Sequence, residues 1–384
     1  MKAKRDLLIT VDFPPMMGGL AVYLYNIWRR LPPEESVILA PQFEGDRQLD
    51  EKEPYRIYRR KYLAPQSWLW NIAKPFLLLG YSFSLLRKER VRVIHCGTLL
   101  QVGLATLILN WVYKVPYYLY VLGSEFQKYG HWIHLRVYMK LVVRRATKVI
   151  AISEFSKEET IRHTGIDPKK IILVTPGVDC QTFRPCGKDP ELARRYHLEN
   201  KKVILTVSRL DIHKGHDKVI EAFPSILQKV PEAVYLIAGT GPTENSLKAL
   251  ARKHRLEEKV IFAGFVPDGE LPAFYNLCDI FVLATLETRH PVLIEGFGNV
   301  FSEASACGKP VVAGRTGGAV EAVKDNVSGL LVNPFKIEEI AEAVIRILRD
   351  PRLASSLGSQ GRQRVLEQFR WDQSAEKIEA LMSS

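Results

Sequence analysis

Short runs of β-branched and aliphatic residues alternate along the chain with longer stretches whose apolar residues recur every three or four positions. This alternation predicts parallel sheets wrapped by helices. The runs Leu7–Val11, Ser36–Leu39, Val91–His95, Tyr117–Leu122, Lys148–Ile152 and Ile171–Val174 predict the strands of one doubly wound unit. A second series, Val203–Val207, Ala233–Ala238, Val260–Ala263, Ile280–Ala284, Pro310–Ala313 and Gly329–Val332, predicts another. Ligands of such sheets bind beyond the carboxyl ends of the strands, so the residues just after each run are where chemistry is sought. From Ile337 onward the pattern is helical, with a break at Asp350–Pro351. No short-period repeat or low-complexity tract interrupts it.

The length of 384 residues fits two domains with their own cores. An apolar content of 47% and an aromatic content of 10% exclude a disordered, collagenous or mucin-like chain. A linker is expected at Cys186, before the polar stretch GKDPE, giving domains 1–186 and 187–365 and a terminal helix over 366–384. That cut also divides the charge. Residues 1–186 carry 28 basic and 16 acidic side chains, while 187–384 carry 26 of each, so the whole net charge of +12 lies in the first half. A field of one sign on one domain points to an anionic partner. The five cysteines are scattered without metal-ligand spacing and read as thiols of a reducing compartment. The apolar start is too short for a signal peptide and contains Asp12, and the apolar region Leu99–Leu122 is broken by Gln101, Asn110, Lys114 and Pro116. A cytoplasmic protein, attached to a membrane from outside, is expected.

Four strand ends of the second half carry residues suited to a nucleotide diphosphate. SRLDIHKG places Arg209 and Lys214 just past a strand, where two cations can neutralise a diphosphate leaving group. AGTGP, with Gly239 and Gly241, lets backbone approach a ligand, although a plain turn would read the same. The most specific feature is the run from Glu295 to Glu303: Gly296, Phe297 and Gly298 form a tight loop, and Asn299 and Val300 open a helix whose N-terminal amides suit a phosphate. Glu303 is expected about two helical turns beyond Glu295. RTGGAVEAV supplies Gly317, Gly318 and Glu321 at a further helix start.

In this order, SRLDIHKG, AGTGP, GFGNVFSEASACGKPVVA, GGAVE and SGLLV resemble the C-terminal nucleotide-sugar domain of the GT-B glycosyltransferases of the large retaining family 4. The likeness is dense over 200–370. Over 1–186 it is looser, carried by MMGGLAVYLYNI, VIHCG, GSEF, AISEFSKE and PGVDCQTFRP. ETRHPVLIEGFG is most similar to the phosphatidylinositol mannosyltransferase branch. The resemblance implies two Rossmann-like domains facing a cleft, with the C-terminal segment returning to the first domain. It implies a hexosyltransferase that moves a hexose from a UDP- or GDP-sugar to a lipid-linked or cell-envelope glycan acceptor, retains the anomeric configuration, and requires neither metal nor other cofactor. By similarity Arg209 and Lys214 grip the diphosphate, Glu303 holds the ribose, Glu295 and the Gly296–Gly298 amides hold the sugar, and Gly18 and Gly19 let acceptor and donor phosphate approach across the cleft. Relatives often carry His before the Gly-x-acid motif, where this chain has Leu122 before Gly123-Ser124-Glu125. His95 and Glu125 are secondary candidates for the acceptor side.

The basic first half must choose the acceptor. In HWIHLRVYMKLVVRRATK, Arg136, Lys140, Arg144 and Lys148 recur every four residues while Leu135, Tyr138, Met139 and Val142 supply apolar surface. With WLWNIAKPFLLLGYSFSLLRK, residues 68–88, this predicts a helical face that lies on an anionic membrane. Rival readings on the same fold are a sugar-nucleotide epimerase, a soluble glycan synthase and a non-catalytic nucleotide-sugar binder. Nucleic acid is not expected as a partner, since Arg209, Lys214, Glu295 and Glu303 have no use in reading it.

Overall fold

The computed structural model describes residues 4–16, 18–61, 68–289 and 292–383, excepting the side chains of 68–74 and 289. Two parallel sheets account for the predicted strands. The first contains β1 (Arg5–Ile9), β2 (Ser36–Pro41), β3 (Arg56–Arg60), β4 (Val91–Cys96), β5 (Tyr117–Val121), β6 (Lys148–Ala151) and β7 (Ile171–Leu173) in the order β3-β2-β1-β4-β5-β6-β7. The second contains β8 (Lys202–Val207), β9 (Ala233–Ala238), β10 (Val260–Gly264), β11 (Ile280–Leu283), β14 (Val311–Gly314) and β15 (Gly329–Val332) in the order β10-β9-β8-β11-β14-β15. Between β11 and β14 a small antiparallel hairpin pairs β12 (Thr288–Arg289) with β13 (Val292–Leu293). Its tip, His290-Pro291 of the stretch ETRHPVLIEGFG, lies outside the described residues.

Sandwiched strands have no wet face, which is why they read as unbroken apolar runs. All six residues of β2 and of β9 are buried. The first core is built from Leu7, Ile9, Val37, Leu39, Ile94 and Leu119 with the helices over them. Ile204, Tyr235, Ile237 and Val282 anchor the second. Edge strand β3, sequence RIYRR, departs from this pattern because only one of its sides has a neighbour, β2, and its polar residues meet solvent.

The chain divides into two compact units, Met1–Pro176 with Trp371–Ser384, and Gly177–Arg370. The first break falls before Cys186, where charge and composition place it, because the intervening segment packs on the second unit. The Cys186 N–H donates to Asn276 Oδ1 at 2.8 Å, and Asn276 Nδ2 donates to the Arg184 carbonyl at 3.0 Å. The second break falls after Arg370, since Phe369 stacks edge-on against Phe297 at 5.3 Å. The helix Trp371–Met382 belongs to the first unit: Trp371 packs on Tyr23 at 6.2 Å, Arg30 pairs with Asp372 at 2.9 Å, and Ser374 Oγ donates to the Thr175 carbonyl at 2.6 Å.

In each sheet the order reverses beside the strand that entered first, between β1 and β4 and between β8 and β11. Loops leaving such a pair of strands diverge and open a crevice.

Candidate active site

In the second unit the loops that leave β8, β9, β11 and β14 are knitted to one another. Leu210 N–H bonds the Thr240 carbonyl at 2.9 Å, Leu286 N–H bonds the His213 carbonyl at 2.9 Å, and Gly318 N–H bonds the Glu295 carbonyl at 2.9 Å. Gly239 makes the first of these contacts possible. Its φ is +139°, and a Cβ there would lie 1.9 Å from the Ser208 carbonyl oxygen.

Lys214 ends the short turn Ile212–Lys214 that follows β8, and its Nζ meets Glu295 Oε2 at 2.5 Å. Both side chains are mostly buried. Burial pushes the Glu295 carboxyl up, but the Lys214 charge and hydrogen bond, His213 and the Gly296 N–H outweigh it and hold Glu295 below the usual carboxylate value. Arg209, 72% exposed at its side chain, reaches only to 3.9 Å from Asp211.

Helix Asn299–Ala306 starts at Gly298, whose φ of +89° brings its Cβ position within 2.5 Å of the Phe301 ring. An amino-terminal turn has N–H groups without intrahelical acceptors, here those of Asn299 and Val300. Phe297 is 2% exposed and turned into the core, so of the expected ligand-binding groups it offers only backbone. Glu295 precedes the helix, so the expected two turns between the glutamates become a loop and a single turn. Glu303 accepts a hydrogen bond from the Tyr275 hydroxyl at 2.6 Å. Burial, countered by Tyr275 and reinforced by Asp268, pushes its carboxyl up to about 7.

The arrangement thus offers two cations, Arg209 and Lys214, and two carboxylates in different protonation ranges along one loop and helix. Among the described residues no group of three or more His, Cys, Asp and Glu is placed to hold a metal. Three neighbours escaped the sequence reading: Tyr275, from a segment with no motif, and Asp211 and His213, inside SRLDIHKG but overshadowed by its cations. The only available signal was their place between Arg209 and Lys214.

The first unit corrects several expectations. His95 is fully buried, with Nε2 3.1 Å from Asp6 Oδ2 and Nδ1 3.1 Å from the Tyr120 hydroxyl. Glu125 accepts from Leu122 N–H at 3.1 Å, closing the turn at Gly123, and its Oε2 is buried. The acceptor contact expected of His95 is replaced by its structural ones to Asp6 and Tyr120. Gly18 and Gly19 begin the helix Gly19–Trp28, and the space where either would carry a Cβ is open.

On the helix Ile133–Arg145, Met139, Val142 and Val143 pack inward, so the apolar surface expected of Met139 and Val142 is core. What faces outward is Ile133, Val137 and Leu141, 63%, 60% and 49% exposed, beside Trp132 and the exposed Arg136, Lys140 and Arg144. Lys148 opens β6 and leaves this face, because the helix ends at Arg145. In the helix Trp68–Glu89, residues 68–74 have no described side chains; Leu78 and Leu85 are buried and Phe76 is exposed. Among the described residues, no helix is long and apolar enough to cross a membrane.

Residues 189–364 match the family model of the glycosyl transferases group 1, and residues 17–182 match that of glycosyltransferase family 4. The chain is 33% identical to the GDP-mannose-dependent alpha-(1-6)-phosphatidylinositol monomannoside mannosyltransferase of Mycobacterium tuberculosis, over 97% of each chain. It belongs to the family 4 glycosyltransferases. The protein of the same name from Mycolicibacterium smegmatis is 31% identical over 98% of each chain. In structure the chain is similar to Anabaena Alr3699/HepE, solved with UDP and glucose, with a TM-score of 0.81 and 22% identity over the whole of both chains. It is equally similar to the sucrose-phosphate synthase of Thermosynechococcus elongatus, with a TM-score of 0.81, 22% identity, and coverage of 99% of this chain and 98% of that one. These neighbours share the GT-B fold, and the protein is a glycosyltransferase.

Proposed function

We propose that this glycosyltransferase moves a hexose from a nucleotide diphosphate sugar, with GDP-mannose as the first donor to test, to a lipid-linked acceptor, and retains the anomeric configuration. One observation carries the reading: 33% identity along 97% of both chains with a relative whose name specifies GDP-mannose and a phosphatidylinositol monomannoside.

Arg209 and Lys214 neutralise the diphosphate, and the Asn299 and Val300 amides reinforce them from a helix N-terminus. Glu303 accepts from the ribose hydroxyls, and Glu295 accepts from those of the hexose. Gly239 and Gly241 keep the β9 loop thin enough for the nucleotide to lie over it. The acceptor hydroxyl attacks on the face from which the diphosphate departs. As the new glycosidic bond forms and the bond to the diphosphate breaks, a phosphate oxygen takes the hydroxyl proton. The protein supplies position and charge rather than a general base.

The lipid acceptor places this chemistry at a membrane, on the cytoplasmic face. Support comes from the outward stripe Ile133, Val137 and Leu141, flanked by Arg136, Lys140 and Arg144, an arrangement suited to an anionic lipid surface.

A thermal-shift comparison of GDP and UDP, with ADP as control, tests the donor. A diphosphate present at 100 times its Kd stabilises by about 2.7 kcal/mol, which for a unit of this size is on the order of 5 °C. A shift with GDP alone supports GDP-mannose. A shift with UDP alone redirects the donor, and no shift with any removes the site assignment.

A further inference from the structure

The proposed clamp of Arg209 and Lys214 encloses a histidine that neither motif nor family resemblance assigns. His213 lies in the turn between them and is only 15% exposed at its side chain. Leu286 N–H fixes its carbonyl at 2.9 Å, so the turn is tied to the loop that leads toward Glu295. Its Nδ1 lies 3.6 Å from Asp211 Oδ1, too far for a hydrogen bond, and is buried with no hydrogen-bond partner among the described residues. Asp211 in turn accepts the Ile212 N–H at 2.8 Å, which holds the carboxylate in place.

The negative charge of Asp211, 3.6 Å from Nδ1, favours a proton on that nitrogen, which leaves the lone pair on Nε2. We propose that His213 is a third diphosphate-binding group, oriented by Asp211, whose Nε2 bonds a phosphate oxygen of the nucleotide.

Two lone pairs cannot form that bond, so Nε2 carries a proton in the bound state, and with Nδ1 still protonated beside Asp211 that proton comes from solution as the diphosphate arrives. The charges around the ring set the timing. Burial and the Lys214 ammonium push His213 down, against the pull of Glu295 and Asp211. His216, which opens the next helix, is buried and neutral. The added negative charge of a diphosphate reverses the balance and favours imidazolium. The inference rests on the donor reading above and deepens it: the clamp gains a cation only when it is occupied.

Calorimetric titration of GDP and UDP into the full chain between pH 6 and 8, in two buffers of different ionisation heat, tests this. Burial pushes Glu303 into the same range, so proton uptake is read as the difference between the unsubstituted chain and the His213 variants, which share Glu303. Affinity of the unsubstituted chain should fall as pH rises. His213→Gln should weaken binding about tenfold at pH 6, flatten that fall, and lower the proton uptake at neutral pH by up to one proton. His213→Asn should do the same, and unchanged melting temperatures of both variants would separate this from misfolding. Equal affinity and equal proton uptake with and without His213 would overturn the inference while leaving the donor reading intact. Absence of binding by either diphosphate to the unsubstituted protein would overturn both.

Discussion

At the scale of single residues the two glutamates of the site are set apart by their partners. Glu295 has an ammonium, so it stays ionised, whereas Glu303 has the Tyr275 phenol and is pushed up to about 7. A folded-state value above the unfolded one means that the native chain holds an extra proton between the two, so stability falls as pH rises from about 4.5 toward 7. Glu303→Gln should therefore melt higher than the unsubstituted protein at pH 8, with the gap closing below pH 5. Calorimetry in the absence of nucleotide measures it. A constant gap across that range would mean that Glu303 is not held near neutrality. His216 has the opposite sign. Burial lowers it to about 3, so it favours the fold above pH 6.5 and withdraws that support on acidification.

Elements show how much of this was legible beforehand. The buried strands were readable because both of their faces are dry, and GFGNVFSEASACG gave away its loop and helix through its glycines. β3 was not readable, since an edge strand with three arginines in five residues looks like a loop. The inward and outward faces of the helix Ile133–Arg145 were also hidden, because periodicity marks a stripe but not which stripe meets the sheet. For Lys214 and Glu295 sequence supplied the residues, but their separation of 81 positions conceals the contact.

Two predictions belong at this scale. Gly298→Ala forces a side chain into φ +89° against Phe301 and should cost about 1–3 kcal/mol, read as a lower denaturant midpoint. Replacing Ile133, Val137 and Leu141 together with Ser leaves the core face intact. It should abolish retention on vesicles of acidic lipid at low salt without lowering the melting temperature. Retention equal to that of the unsubstituted protein would remove the membrane face.

For the whole molecule, most of the excess charge and the outward apolar stripe lie on the first unit, and the cation–carboxylate site lies on the second. That division matches an enzyme that takes a lipid acceptor with one unit and a soluble anionic donor with the other. The measurement that tests it most directly is transfer of labelled mannose from GDP-mannose into a phosphatidylinositol-based lipid by the unsubstituted protein, Lys214→Ala and Glu303→Ala. Labelled lipid should form with the α-anomer of the donor preserved, and each substitution should reduce the rate at least 100-fold while the chain stays folded. Unchanged turnover in both variants, or an inverted anomer in the product, would contradict the account.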